Sequence, residues 1–222
     1  MRILAISDEV NSALHSANLT QLTGPVDVLL SCGDLPYDYM EYVVTRTHVR
    51  HAFYVHGNHD RPISLSGGRV LENPGGWTNI DRRLVYVREH DLLIAGLEGC
   101  IRYKPNARYQ YGEQQMARRA LRLVPQLFLN RIVHGRYLDI LITHAPPQGI
   151  HDSREGAHRG FSSFLQLMLR FRPRVLLHGH NHRYGTRQWQ TQFEGTQVVN
   201  VHPFCKIEFG KDAVGFSNTF RG

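Results

Sequence analysis

The chain has 222 residues, 41% of them hydrophobic and 20% charged, with a formal net charge of +7. These proportions are those of an ordinary globular protein and exclude a disordered or fibrous chain. No run approaches the roughly 18–20 uncharged apolar residues that crossing a bilayer requires.

The length suits one sizeable core, so a single domain over residues 1–222 is expected. Its opening, MRILAISDEV, reads as a strand running into an acidic residue rather than as a signal sequence, and a cytoplasmic location is expected. Cys32, Cys100 and Cys205 are odd in number and widely spaced, the pattern of buried thiols rather than of disulfides or a zinc knuckle. The positive charge favours an anionic partner, either a phosphate-bearing substrate or nucleic acid. Only three of the 26 basic residues are lysine (Lys104, Lys206 and Lys211). Guanidinium suits bidentate phosphate contacts, although an arginine bias is as often a genomic habit.

In chain order, RILAIS, VDVLLS and AFYVHG are predicted strands, separated by helical patterns in SALHSANLTQL and YDYMEYVVTRTHV. Short uninterrupted runs such as VLL and FYV suit strands covered on both faces. Residues 61–112 are rich in Gly, Pro and Asn, with hairpin-like strands near Leu84–Val87 and Leu92–Leu97. A helix is expected from Glu113 to about Leu123, and Pro125 should open a second that runs to about His134. LDILIT is a strand, PPQGIHDSREGAHRG a polar loop, and FSSFLQLMLRF a helix that Pro173 ends. VLLHG, GTRQWQ, TQVVNV and FCKIEF read as the remaining strands.

Five apolar runs end at side chains that bind metals. Asp8 follows Ile3 to Ile6, Asp34 follows Val26 to Leu30, Asn58 follows Phe53 to Val55, His144 follows Ile140 to Ile142, and His180 and His182 follow Val175 to Leu177. If these runs belong to one largely parallel sheet, right-handed crossovers bring their carboxyl ends to one edge. A lone polar residue at a strand end is usually a turn former. The succession GD, GNHD, THAP and GHNH is much harder to attribute to chance. Asp and Asn oxygens combined with imidazoles suit Mn, Fe or Zn better than Ca or Mg. Two such ions ~3.5–4 Å apart activate a bridging water and neutralise an attacked phosphoryl group.

These motifs resemble those of the calcineurin-like metallophosphoesterases, from Asp8 to His182. GLEGCIRYKP, YQYGEQQM and THAPPQGIHDSREGAHRGF resemble the branch that includes metallophosphoesterase-domain-containing proteins and their bacterial relatives. The resemblance implies a four-layered α/β sandwich, two mixed sheets flanked by helices. It also implies two divalent metal ions, with Asp34 bridging, Asn58, His144 and His180 completing the second site, and Asp8 and His182 serving the first. His59 would contact the scissile phosphate and protonate the leaving oxygen, with Asp60 as the acceptor that fixes its tautomer.

One departure stands out: the family opens with Asp-x-His, whereas this chain has Asp8-Glu9-Val10. An isopropyl group offers no lone pair, so the first site is expected to bind more weakly than the second. Strand alternation points Glu9 away from Asp8, leaving Asn11 or water to fill the gap. His151, Asp152 and His158, in the loop after His144, are candidates to face substrate. Arg102, Tyr103, Tyr109 and Tyr111 form a basic-aromatic cluster that could grip phosphate, though an arginine lying over core aromatics explains it equally well. His56 and His178 are expected to support or pack rather than ligate.

The leading expectation is a phosphoester hydrolase acting through a metal-bridging hydroxide on a small phosphoester or nucleotide-like substrate, with diesters favoured over monoesters. The alternative is a binding or scaffold protein that keeps the fold with weakened catalysis, and Val10 is its main support. A nuclease comes third, motivated by charge alone, since no nucleic-acid-binding signature is present.

Overall fold

The computed structural model describes residues 1–64, 67–68, 70–153, 156–182 and 188–219. A βαβαβ opening comprises β1 (Arg2–Ile6), α1 (Leu19–Thr23), β2 (Val28–Ser31), α2 (Tyr37–Thr47) and β3 (His51–Tyr54). The Gly-rich stretch carries the short strands β4 (Ile63–Ser64), β5 (Val70–Leu71) and β6 (Thr78–Asn79), then the pair β7 (Leu84–Val87) and β8 (Leu92–Leu97), then β9 (Cys100–Ile101) and β10 (Gln110–Tyr111). Helices α3 (Glu113–Leu121) and α4 (Val124–His134) lead to β11 (Ile140–Thr143), α5 (Ser162–Phe171) and β12 (Val175–His178). The chain closes with β13 (Gln190–Phe193), β14 (Thr196–Asn200), β15 (Phe204–Phe209) and β16 (Val214–Ser217).

The strands that precede the candidate ligands do not share one sheet. They divide between two six-stranded sheets, ordered β16-β15-β1-β2-β3-β6 and β13-β14-β12-β11-β8-β7. In the first, β1, β2, β3 and β6 run parallel, β15 is antiparallel to β1, and β16 is antiparallel to β15. In the second, β8, β11, β12 and β14 run parallel between antiparallel β7 and β13.

Alternation along each central strand builds the layers. Ile3, Ala5, Val28, Leu30, Phe53 and Val55 face Ile94, Ile140, Ile142, Val175 and Leu177 across the inter-sheet core. Leu4, Ile6, Leu29 and Tyr54 turn the other way, onto Leu19, Tyr39, Met40 and Val43 of the first helical layer. Leu93, Ala95, Leu141 and Leu176 pack on Met116, Ala120, Leu127, Phe164 and Met168 of the second. Helix, sheet, sheet, helix is the expected four-layered sandwich with two mixed sheets. Because both faces of the central strands are covered, their runs are uninterruptedly apolar.

Two predicted elements differ. The first helix is confined to Leu19–Thr23, because Asn11 Oδ1 accepts the Ala13 and Leu14 N–H groups at 3.1 and 3.2 Å and holds the preceding residues in turns. The strand expected over 185–190 is instead Gln190–Phe193; residues 185–187 lie outside the described ones.

Candidate metal centre

Asp8, Asp34 and Asn58 leave the carboxyl ends of β1, β2 and β3, and His144, His180 and His182 leave those of β11 and β12. The two sheets bring these ends to one edge of the sandwich. Asp8 (φ +66°), Asp34 (φ +58°) and His180 (φ +66°) all adopt left-handed backbone, which costs roughly 1–3 kcal/mol per non-glycine residue. Hydrogen bonds between loops hold these turns. His180 N–H donates to both Asp8 carboxylate oxygens at 2.9 and 3.0 Å. Asp60 Oδ2 accepts Gly57 N–H at 2.8 Å and Asp34 N–H at 3.2 Å, so this carboxylate ties two loops together in place of the expected contact with the His59 ring.

His144 Nε2 is the hub. Asn58 Oδ1 lies 3.0 Å from it, His180 Nδ1 3.1 Å and Asp34 Oδ2 3.3 Å. The opposite nitrogen of each ring meets a carbonyl, which can only accept: His144 Nδ1 is 2.7 Å from Cys32 O and His180 Nε2 is 2.7 Å from Ala157 O. Each of those nitrogens therefore carries a hydrogen, which leaves His144 Nε2 and His180 Nδ1 facing each other. Asn58 Nδ2 donates to Tyr103 OH at 3.1 Å, which turns its carbonyl oxygen inward. Two imidazole nitrogens, an amide oxygen and a carboxylate converging on one point could hold a cation, and this donor set fits a borderline divalent metal. Among the described residues, Asp34, His144 and His180 place donor atoms within 4.8 Å of one another.

The protonation pattern follows from the same crowding. Burial alone would depress the His144 imidazole, but the Asp34 carboxylate lifts it to about 9. His180 is pushed down to about 3 by burial and by the charge on His144. Burial would raise Asp34, yet His144 and the His59 N–H hold it at about 2. Asp60 rises to about 6 through burial and then through its neighbour Asp34.

Close packing forbids side chains beside this cluster. A Cβ on Gly57 would sit 2.0 Å from Asp34 Oδ1 and 2.7 Å from His144 Cε1, and one on Gly179 would sit 2.3 Å from Asp8 Oδ2. The glycine in GNHD and in GHNH is what lets two sheets close on one point.

Asp8, Asp34, Asn58, His59, His158, His180 and His182 line one cleft of about 540 Å³. His59 is exposed there, its N–H fixed to Asp34 Oδ1 at 2.7 Å. Val10 is 39% exposed, and Asn11 is occupied with its own turn. The chain does turn sharply after Asp8, with Glu9 N–H donating to Ser7 O at 2.8 Å. Glu9 then reaches His202 Nε2 at 3.2 Å rather than the cleft. The His182 ring stacks on that same His202, with centroids 4.5 Å apart.

Three candidate substrate contacts, Arg102, His151 and Asp152, do not line this cleft. Arg102 donates to Gln115 Oε1 at 2.6 Å and is not part of the cleft wall. His151 bridges His178 Nε2 and Thr191 Oγ1 at 2.9 and 2.8 Å and lines a neighbouring cavity. Of the aromatic cluster, Tyr103 supports Asn58, Tyr109 stacks on His56 at 4.4 Å, and Tyr111 lies under Arg119. The supporting carbonyls of Cys32 and Ala157 and the buried Glu98–Arg119 pair escaped sequence reasoning. Backbone acceptors carry no residue signature, and no spacing rule pairs residues 98 and 119.

The model of the family described as calcineurin-like phosphoesterase matches residues 1–184. No curated protein matches the chain in sequence. Among solved structures, TT1561 of Thermus thermophilus superposes with a TM-score of 0.63 at 18% identity, covering 98% of each chain. GAP50, the anchor in the inner membrane complex of Plasmodium, gives 0.58 at 12% identity, covering 97% of this chain and 83% of its own. The phosphopantetheinyl hydrolase of Mycobacterium tuberculosis gives 0.53 at 13% identity, covering 90% and 88%. Identities this low speak for the fold alone, whereas the family model spans most of the sequence and all six candidate ligand positions. This chain belongs to the calcineurin-like phosphoesterase family.

Proposed function

We propose that this protein is a metal-dependent phosphoester hydrolase with a dinuclear site and a preference for diesters of small, nucleotide-like molecules. The observation that carries this reading is the convergence of Asn58, Asp34 and His180 within 3.3 Å of His144 Nε2 in the cleft that His59 lines. Asn58, His144, His180 and Asp34 would hold one ion, and Asp34, Asp8 and His182 the other, with Mn, Fe or Zn matching the donors. The ions would supply Lewis-acid polarisation and an activated water.

The chain's own part is positional and protonic. The His59 backbone is anchored on Asp34, which places its ring in the cleft to meet the phosphoryl charge and protonate the leaving oxygen. Asp60 acts through the loops it ties rather than on the substrate. His158, whose ring lies 4.9 Å from that of His180, is the loop residue best placed to touch substrate. The fold shared with a phosphopantetheinyl hydrolase accords with a small phosphoester.

Hydrolysis of nitrophenyl phosphodiesters with added Mn²⁺ is the test. Asp34→Asn should abolish it, and His59→Gln should lower kcat by roughly 10²–10⁴-fold. A protein that turns over neither diesters nor monoesters with Mn²⁺, Fe²⁺, Co²⁺ or Zn²⁺ would instead support the second reading, a scaffold with weakened catalysis. That reading draws on Val10 and on a fold shared with a protein described as an anchor.

A further inference from the structure

The helical layer over the second sheet leaves an apolar face uncovered. Leu127 and Asn130 form the buried side of α4. At 3.6 residues per turn, Phe128, Leu129, Ile132 and Val133 fall on the outward side, where all four are exposed, Ile132 by 81%. A helix apolar on both sides is ordinarily buried. In the opposite layer α2, also 11 residues long, exposes Asp38, Thr45 and Arg46 instead. The apolar surface continues beyond α4. The Arg170 guanidinium of α5 lies 5.8 Å from the Phe128 ring centroid, and Leu121, 62% exposed, and Leu169 border a groove of about 530 Å³ between α3 and α5.

Charge narrows what can cover this face. The three helices carry Arg118, Arg119, Arg122, Arg131 and Arg170 against a single carboxylate, Glu113. Arg119 is drawn inward to Asp81 and Glu98, and Glu113 is occupied by the Ser162 and Ser163 N–H groups. The other four arginines are exposed. A second copy placed face to face would set these cations against one another. A protein partner is held chiefly by Trp, Tyr and Arg seated in pockets, with Leu and Val under-represented, whereas the most protruding side chains here are aliphatic. Aliphatic groups standing between arginines match the boundary between acyl chains and anionic headgroups.

We infer that the outward face of α4, with the adjoining parts of α3 and α5, docks on an anionic phospholipid bilayer. Leu129, Ile132 and Val133 enter the acyl boundary, and the flanking arginines meet lipid phosphates. None of these residues lines the metal cleft, so the inference stands apart from the phosphoesterase reading and its test needs no activity.

The test is co-sedimentation of the protein with vesicles of phosphatidylcholine containing about 30% phosphatidylglycerol, at an ionic strength of about 0.1 M. Binding should be at least about tenfold tighter than to phosphatidylcholine alone. Leu129→Gln with Ile132→Gln keeps the charge and should weaken binding at least about tenfold. Both positions are exposed and Gln is a good helix former, so the urea midpoint should not move. Arg131→Gln with Arg170→Gln should weaken binding about 25-fold, since an arginine near an anionic surface contributes about fivefold. Arg46→Gln with Arg50→Gln, in and after α2 on the opposite layer, removes the same charge and should change binding less than about twofold. Three results overturn the inference: no binding to anionic vesicles, binding that the Leu129 and Ile132 pair leaves unchanged, or equal weakening by the two arginine pairs. A dimer in sedimentation equilibrium that Leu129→Gln with Ile132→Gln dissolves, without vesicle binding, also overturns it and assigns the face to a second copy.

Discussion

His144 Nε2 and His180 Nδ1 face each other 3.1 Å apart, because Cys32 O and Ala157 O each accept the hydrogen on the far side of one ring. Without a cation, a proton must occupy that gap. His144, lifted to about 9 by Asp34 against the effect of burial, carries it at neutral pH.

Cation and proton therefore compete for one position. Metal binding between pH 7 and 8 should release about one proton, and affinity should rise about tenfold per pH unit up to about 9. Calorimetry in two buffers of different ionisation enthalpy measures the released proton directly. A release near zero would mean that the rings are already neutral.

Gly57→Ala should damage the centre without touching a donor atom. Its Cβ would lie 2.0 Å from Asp34 Oδ1, so the carboxylate must move. Metal affinity should fall by about 10–100-fold, the range seen when groups that orient ligands are disturbed. Equilibrium dialysis with Mn²⁺ checks this, and unchanged affinity would show that the two loops can part.

Val10→His should restore an imidazole beside Asp8. The first site is then expected to tighten relative to the second, read as the ratio of anomalous peak heights in crystals grown at limiting Mn²⁺. Two equally occupied sites in the unmodified protein would refute the ranking of the sites.

Glu98 is buried between His56 Nδ1 at 3.2 Å, Tyr111 OH at 2.5 Å and Arg119 at 2.7 Å. Burial works to raise its carboxyl, but these donors hold it below the usual 4.5. A depressed carboxyl stabilises the fold above its unfolded value and loses that contribution as pH falls through the folded one. Glu98→Gln should therefore cost roughly 3 kcal/mol at pH 7 and flatten the loss of stability below about pH 4.5. Urea unfolding at pH 7 and pH 4 separates these outcomes.

Much of the site was legible because each ligand follows an apolar run short enough to be only a strand. Asp8, Asp34, Asn58, His144 and His180 are found where those runs end. The reading failed where side chains choose among partners in space. Arg102 had the right charge, but it donates to Gln115 Oε1 at 2.6 Å and does not line the cleft. His151 sits in the expected loop yet turns to Thr191. Asn11, close in sequence to the gap at Val10, is used by the turn that shortens α1.

The order of the motifs and the chemistry of their side chains determined the family, since hydrophobic periodicity and donor type are local properties of the chain. The tertiary structure decided that two sheets, not one, deliver the donors. It also decided which nitrogen of each histidine faces the centre, and that Glu9 and Asn11 are spent elsewhere. Those outcomes depend on angstrom-scale competition between residues up to 172 positions apart, such as His180 N–H on Asp8, and no one-dimensional pattern encodes that competition.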